Sequence, residues 1–213
     1  MRFKLLKFWS KKRHSYLTSV QDYYDKAAKQ FGNSIDAVGW FSTDSQVIRF
    51  RQFLELGDLS NSTVLDVGSG LGDFFDFISF QSPSQYLGID VSSQMIKLAS
   101  KRYPSATFLH TDIFNLSDAR KFDYVISSGI YSLKHDRPLD FLAMHLHQCW
   151  QRATKGIGFN LLSATTDKEH QDPTFHYYHI RPVLNLCQTL SQSVVLIDDY
   201  LPNDFTVLLT KSS

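Results

Sequence analysis

Thr63-Val64-Leu65-Asp66-Val67-Gly68-Ser69-Gly70-Leu71-Gly72 joins a short apolar, β-branched run to a loop with a glycine at every second position. A run of this length bounded by turn residues reads as a buried strand. The glycines let the backbone approach a ligand without Cβ obstruction, and the helix expected over 73–80 opens with unpaired N–H groups. The alternation then repeats along the chain. Residues 86–89 read as the second strand, and Ser92 or Ser93 caps a helix that runs to Arg102 ahead of Pro104. Residues 107–109 and 122–126 are the third and fourth strands. Asp136 is the expected cap of a helix with Pro138 in its first turn, and Leu139, Leu142, Ala143, Leu146 and Trp150 fall at helical spacing along it. Strands over 156–162, 194–197 and 205–209 and a helix over 180–191 complete the pattern. Such alternation implies an α/β fold with parallel strands covered by helices on both faces. Ligands of open sheets of this kind bind beyond the carboxyl ends of the strands, near the switch in strand order.

Composition narrows the function. The 213 residues suit one domain, and no stretch approaches the ~20 apolar residues of a spanning helix. A net charge of +1 argues against a protein organised around nucleic acid. Cys149 and Cys187 form no disulfide framework or metal clip, which fits a reducing cytoplasm, and both are expected to be small buried hydrophobes. Residues 1–13 hold six of the basic residues and no acid, so the rest of the chain is net acidic. Phe3, Leu5, Leu6, Phe8 and Trp9 alternate with those cations, a pattern that suits weak membrane-surface contact. The plainer expectation is a frayed, solvated arm. Residues 14–60 are expected to form a helical cap over the ligand edge of a domain spanning 61–213.

Acids mark the ends of the first three strands. The dinucleotide fingerprint would place a third glycine where Asp73 stands, and a pyrophosphate there would face a carboxylate. Asp90 ends the second strand, where a carboxylate can accept from both ribose hydroxyls. Asp112 follows the third, where it can accept from an adenine amino group while Ile113 packs on the ring. Each has a mundane alternative: Asp66 bracing the turn, Asp90 capping a helix, Asp112 shaping a turn. Their joint arrangement with the glycine loop is the informative feature.

In Val64–Gly72, Gly88-Ile89-Asp90-Val91-Ser92 with Met95, and Asp112-Ile113, the chain resembles the class I S-adenosylmethionine (SAM)-dependent methyltransferases over about residues 62–210. That resemblance implies a Rossmann-like, seven-stranded mixed sheet in order 3-2-1-4-5-7-6 with the last strand antiparallel. It also implies SAM as cofactor and S-adenosylhomocysteine (SAH) as product. By this likeness Asp66, Gly68, Ser69, Gly70 and Gly72 pass the methionine moiety, Asp90 holds the ribose, and Val91, Met95, Asp112 and Ile113 surround the adenine. Ser128 and Gly129, after the fourth strand, lie where the family places residues beside the reactive methyl. Tyr23, Tyr24 and Trp40 are lid candidates, with plain packing as the alternative, and Arg49 or Arg51 is the expected partner of the cofactor carboxylate.

Tyr131, His135, Asn160 and Tyr178 are the candidate catalytic residues on the substrate side. His145 and His147 are expected at the surface or rim, and His176 and His179 lack the partners of a metal site. The chain has neither the Asn/Asp-Pro-Pro-Tyr/Phe signature of nucleobase-amine methyltransferases nor a Pro-Cys nucleophile, so nucleic acid is not the expected partner. A small-molecule methyl acceptor is. Nucleic-acid or protein methylation, a non-catalytic SAM-binding module and, furthest behind, a nicotinamide-dependent oxidoreductase are the alternatives.

Overall fold

The computed structural model describes residues 2–116 and 120–211, with side chains from residue 13 onward. Helix α1 (Arg2–Phe31), a 3-10 turn (Ile35–Val38), α2 (Thr43–Gln52) and a second turn (Phe53–Leu56) precede the sheet. Then follow β1 (Thr63–Val67), α3 (Asp73–Ile78), β2 (Gln85–Asp90), α4 (Ser93–Arg102), β3 (Thr107–His110) and β4 (Phe122–Ser127). The chain closes with α5 (Pro138–Arg152), β5 (Ala153–Leu162), α6 (Ile180–Gln188), β6 (Ser193–Ile197) and β7 (Asp204–Thr210).

The seven strands lie in the order β3-β2-β1-β4-β5-β7-β6. Pairing is parallel from β3 through β5, whereas β7 runs antiparallel to both β5 and β6. This is the topology that the resemblance implies. Strands β1 and β4 are buried nearly throughout because helices cover both faces. Asp66 pairs with Gly88 on one side and Ile126 on the other, so β1, β2 and β4 end almost level. The chain leaves β1 first toward β2 and β3, then returns to β4 on its far side, and the loops diverge there to open a crevice.

Capping explains two helix starts. The Ser92 hydroxyl accepts from the Met95 N–H at 3.1 Å and sets the first turn of α4. For α5 the expected cap, Asp136, is one residue early: Arg137 holds the cap position and Pro138 the first helical one, where a missing N–H costs nothing.

The core has two main layers. Leu142, Leu146 and Cys149 of α5 and Val183 and Cys187 of α6 pack on one face of the sheet. On the other face Phe74 and Ile78 of α3 meet Phe50, Phe53, Leu56 and Leu59. Phe53 and Leu59 are wholly buried, each stabilising the fold by roughly 1.5–3 kcal/mol. Residues 50–59 thus pack into the core beside the sheet, across the boundary expected at residue 60. Residues 2–13 of the expected arm are the first turns of α1, which begins at Arg2. The side chains of residues 1–12, and with them the expected membrane contact, lie outside the described residues. No helix among the described residues is long and apolar enough to cross a membrane.

Candidate active site

The crevice at the strand ends is a cavity of about 970 Å³ measured to its open mouth. Its floor is the loop Gly68-Ser69-Gly70. Gly68 (φ 79°) sits so close to the loop after β4 that a Cβ there would lie 2.1 Å from the Ile130 side chain. Gly129 (φ 73°) makes a similar approach from the other side, its absent Cβ leaving room for the Trp40 ring at 2.7 Å. Two loops and a lid residue thus converge only because two side chains are missing.

Carboxylates line the opposite wall. Asp90 accepts from the Gly70 N–H at 2.9 Å through one oxygen and from the Ser92 N–H at 2.8 Å through the other. An ionised carboxylate has about four lone-pair sites, so two remain for ligand hydroxyls. Burial raises its pKa against those two bonds. Asp66 is also buried, accepts from the Tyr86 hydroxyl at 2.5 Å, and has its pKa pushed from 3.8 to about 7, burial outweighing that bond. Asp112 spends much of its capacity locally, accepting from the N–H groups of Phe114 (2.8 Å) and Asn115 (3.0 Å) and from the Asn115 side chain (2.7 Å). It shapes a turn and also lines the cavity. Asp73 lines the cavity too, its carboxylate 2.5 Å from Arg102 and 3.2 Å from the Gln46 amide.

Helix α1 forms the roof through Tyr16, Leu17, Val20 and Tyr24, one face at helical spacing. It is fastened by Asp25, which accepts from the Ser92 hydroxyl at 2.5 Å and the Gln94 N–H at 3.2 Å. The residue that caps α4 is therefore also the one that docks the roof. Of the expected lid residues, Tyr24 and Trp40 both face the cavity, as do Val91, Met95, Ile113, Ser128 and Gly129.

Several expected site residues stand elsewhere. Arg49 is buried in an ion pair with Asp204 and lies over the Trp40 ring at 4.5 Å. It is absent from the cavity lining and supports the Trp40 ring from behind. Gly72 lies outside the cavity wall, against Tyr103 and Phe108. Tyr131 and Tyr178 are wholly buried: the Tyr131 hydroxyl meets His145 Nδ1 at 2.8 Å, and the Tyr178 hydroxyl donates to the Tyr131 carbonyl at 3.2 Å. Asn160 accepts from the Gly129 N–H at 2.8 Å and donates to the Ser128 hydroxyl at 3.0 Å, which holds the loop after β4 in place. None of these three is among the residues that line the cavity. His135 stacks on Tyr16 at 4.1 Å, just behind the roof.

Sequence reasoning missed Tyr16, Leu17, Val20, Phe114, Phe141 and His145, all of which line the cavity. His145 is buried against the expectation of a rim residue, and burial depresses its pKa to about 3, so it stays neutral. His147, on the opposite side of α5, is exposed as expected.

The donor and acceptor set fits a nucleoside cofactor. The Ser69 hydroxyl is buried at the floor with no protein partner, a group that a bound ligand would satisfy. An open sheet of this order, with acids ending β1 and β2 and a third just past β3, defines the class I SAM-dependent methyltransferase fold. A family model described as a methyltransferase domain matches residues 64–155. Rv1506c of Mycobacterium tuberculosis, a protein that carries a methyltransferase name, is 27% identical over 161 residues, which are 71% of this chain and 94% of the relative. Among solved structures the chain is similar to magnesium protoporphyrin IX methyltransferase (ChlM) from Synechocystis with bound SAM, at TM-score 0.70 and 14% identity over 92% of this chain and 97% of that one. It is also similar to DhpI in complex with SAH, at TM-score 0.68 and 16% identity over 92% and 96%. At those identities the structural likeness shows the fold. Together with the domain match over residues 64–155 it supports a class I SAM-dependent methyltransferase, with SAM as the cofactor.

Proposed function

We propose that this methyltransferase acts on a small-molecule acceptor. The observation that carries this reading is the roof: α1 lies over the crevice along Tyr16–Tyr24 and narrows the approach to its floor. ChlM, a magnesium protoporphyrin IX methyltransferase, and DhpI, known as a complex with SAM and HEP, share the fold. When bound, SAM supplies a methyl on a sulfonium whose carbon–sulfur bond breaks with the electron pair staying on sulfur, while the acceptor's lone pair forms the new bond. Asp90 accepts from the ribose hydroxyls, Val91, Met95 and Ile113 flank the adenine, and Asp112 accepts from its amino group through its remaining lone pairs. Asp66, Gly68, Ser69 and Gly70 face the methionine end. Ser128 and Gly129, held by Asn160, form the wall beside the methyl, and Trp40 and Tyr16 present aromatic faces to the sulfonium, worth about 0.5–2 kcal/mol. Alignment of acceptor, methyl and sulfur supplies most of the acceleration. A cytoplasmic setting, which keeps Cys149 and Cys187 as thiols, goes with this reading.

Calorimetry should show micromolar-range binding of SAM and SAH and little binding of NAD. Incubation with methyl-labelled SAM and a cell extract should then place the label in filterable metabolites. Label found only in nucleic acid or protein would overturn the small-molecule acceptor.

A further inference from the structure

We propose that the cleft beside the cofactor cavity, between α1 and residues 133–137, is the acceptor subsite, and that the acceptor carries an oxyanion, carboxylate or phosphate, held by Arg13, Lys134 and His135. This rests on the methyl-transfer reading above. The cleft has a volume of about 800 Å³ to its open mouth, and Tyr16 and Phe141 line both it and the cofactor cavity. Those two rings belong to both spaces, so the cleft adjoins the cofactor cavity along Tyr16 and Phe141.

Its chemistry is cationic. Arg13, Lys134 and Arg137 line it against one carboxylate, Asp136. Arg137 is engaged by Asp140 at 2.5 Å. Among the described residues no carboxylate lies within ion-pair distance of Arg13 or Lys134, and the Arg13 guanidinium rests over the Phe114 ring at 4.4 Å. His135 adds a donor in search of a partner. Its Nδ1 faces the Arg137 N–H at 3.4 Å as acceptor, which leaves the proton on Nε2, and Nε2 is buried with no partner in the protein. An orphaned buried donor is costly, and an oxyanion is the acceptor that satisfies it most strongly. Burial and then His176 hold His135 below its ordinary pKa against the pull of Asp136 and Asp140, and burial, then Lys134 and His179, lower that of His176. A bound anion would offset the cationic part of these effects. The seryl hydroxyls of Ser15 and Ser19 complete a polar wall on the α1 side.

The test uses the full chain saturated with SAH, with inorganic phosphate and acetate as probes and chloride at equal ionic strength as control. The His135 ring resonance, assigned by its loss in His135→Gln, reports binding. The expected result is a saturable shift and a raised His135 pKa with phosphate, acetate or both, and none with chloride. A stronger response to phosphate marks a phosphoryl-bearing acceptor, and a stronger response to acetate a carboxylate-bearing one. Lys134→Glu should weaken the anion response about tenfold, while its SAH titration shows that the protein is folded. In the labelled-SAM incubation the methylated product should be retained on an anion exchanger. If neither probe moves His135 in SAH-bound protein, if chloride moves it equally, or if the labelled product is neutral or cationic, the subsite is wrong while the methyltransferase stands. Competition by a short oligonucleotide alone would replace it with a nucleic-acid site. Failure of SAH to bind at all would instead overturn the reading on which this one rests.

Discussion

Replacing Asp66 by Asn tests the electrostatics of the site without changing its shape. The side chain is buried, its pKa is raised from 3.8 to about 7, and its hydrogen-bond partner Tyr86 is held in the protonated, donating form by burial and by Asp66 itself. Asparagine keeps an oxygen for the Tyr86 hydroxyl but cannot ionise. Three pKa units at 1.36 kcal/mol each amount to about 4 kcal/mol between full protonation and full ionisation. Because the folded-state value lies above the unfolded one, the folded chain holds the extra proton between about pH 4 and pH 7. Stability from this group is therefore complete at low pH and is lost as pH rises through that window. Across pH 5 to 8 the parent should lose roughly 2–3 kcal/mol that Asp66→Asn does not. In thermal melts of ligand-free protein the difference between variant and parent should widen by about 5–10 °C over that range. A bound cation beside Asp66 reverses the balance by favouring the carboxylate. SAM binding at pH 7 should then release part of a proton, visible as a buffer-dependent calorimetric heat in the parent and absent in the variant. A melting difference that stays flat from pH 5 to 8 would refute the argument that burial governs this carboxyl.

Asp90→Ala removes the proposed ribose acceptor and should weaken SAH binding by roughly 1–3 kcal/mol in calorimetry; parent-like binding would mean that β2 does not end at the cofactor. Gly129→Ala combines a positive φ with a Cβ 2.7 Å from Trp40 and should cost at least about 1–2 kcal/mol in chemical unfolding, with a changed tryptophan emission as the lid is displaced. Arg49→Met strands Asp204, whose pKa already stands at about 6 because burial outweighs the ion pair. The expected loss is about 3–5 kcal/mol at pH 8, where the carboxylate is charged, and clearly less at pH 5, where protonation relieves it; equal losses at the two pH values would contradict the pairing.

The parts of this molecule legible in its sequence are those set by local chemistry. Strand β1 announces itself because a strand buried on both faces is apolar almost throughout, and the glycines after it have few other uses. Asp90 and Asp112 are readable because strand ends are where such sheets bind ligands. Arg49 was not readable, because its partner lies 155 positions away and nothing local distinguishes a cofactor clamp from a buried strut. Tyr131 and Tyr178 carry hydroxyls that look catalytic, but those hydroxyls are turned inward to His145 and to a carbonyl. The roof was half visible: Tyr24 was singled out, yet the stripe formed with Tyr16 and Val20 has the same spacing as any buried helix face. His145 and His147 differ by two positions on one helix, and only the direction in which α5 faces the sheet sends one inward and the other to solvent.

The fastening of α1 by Asp25 has a kinetic corollary. The Ser92 and Gln94 contacts resist displacement of the helix that covers part of the crevice. Loosening them should therefore speed the exchange of a ligand held beneath α1 and shorten its residence, so that a residue outside the cavity lining tunes how long the site stays occupied.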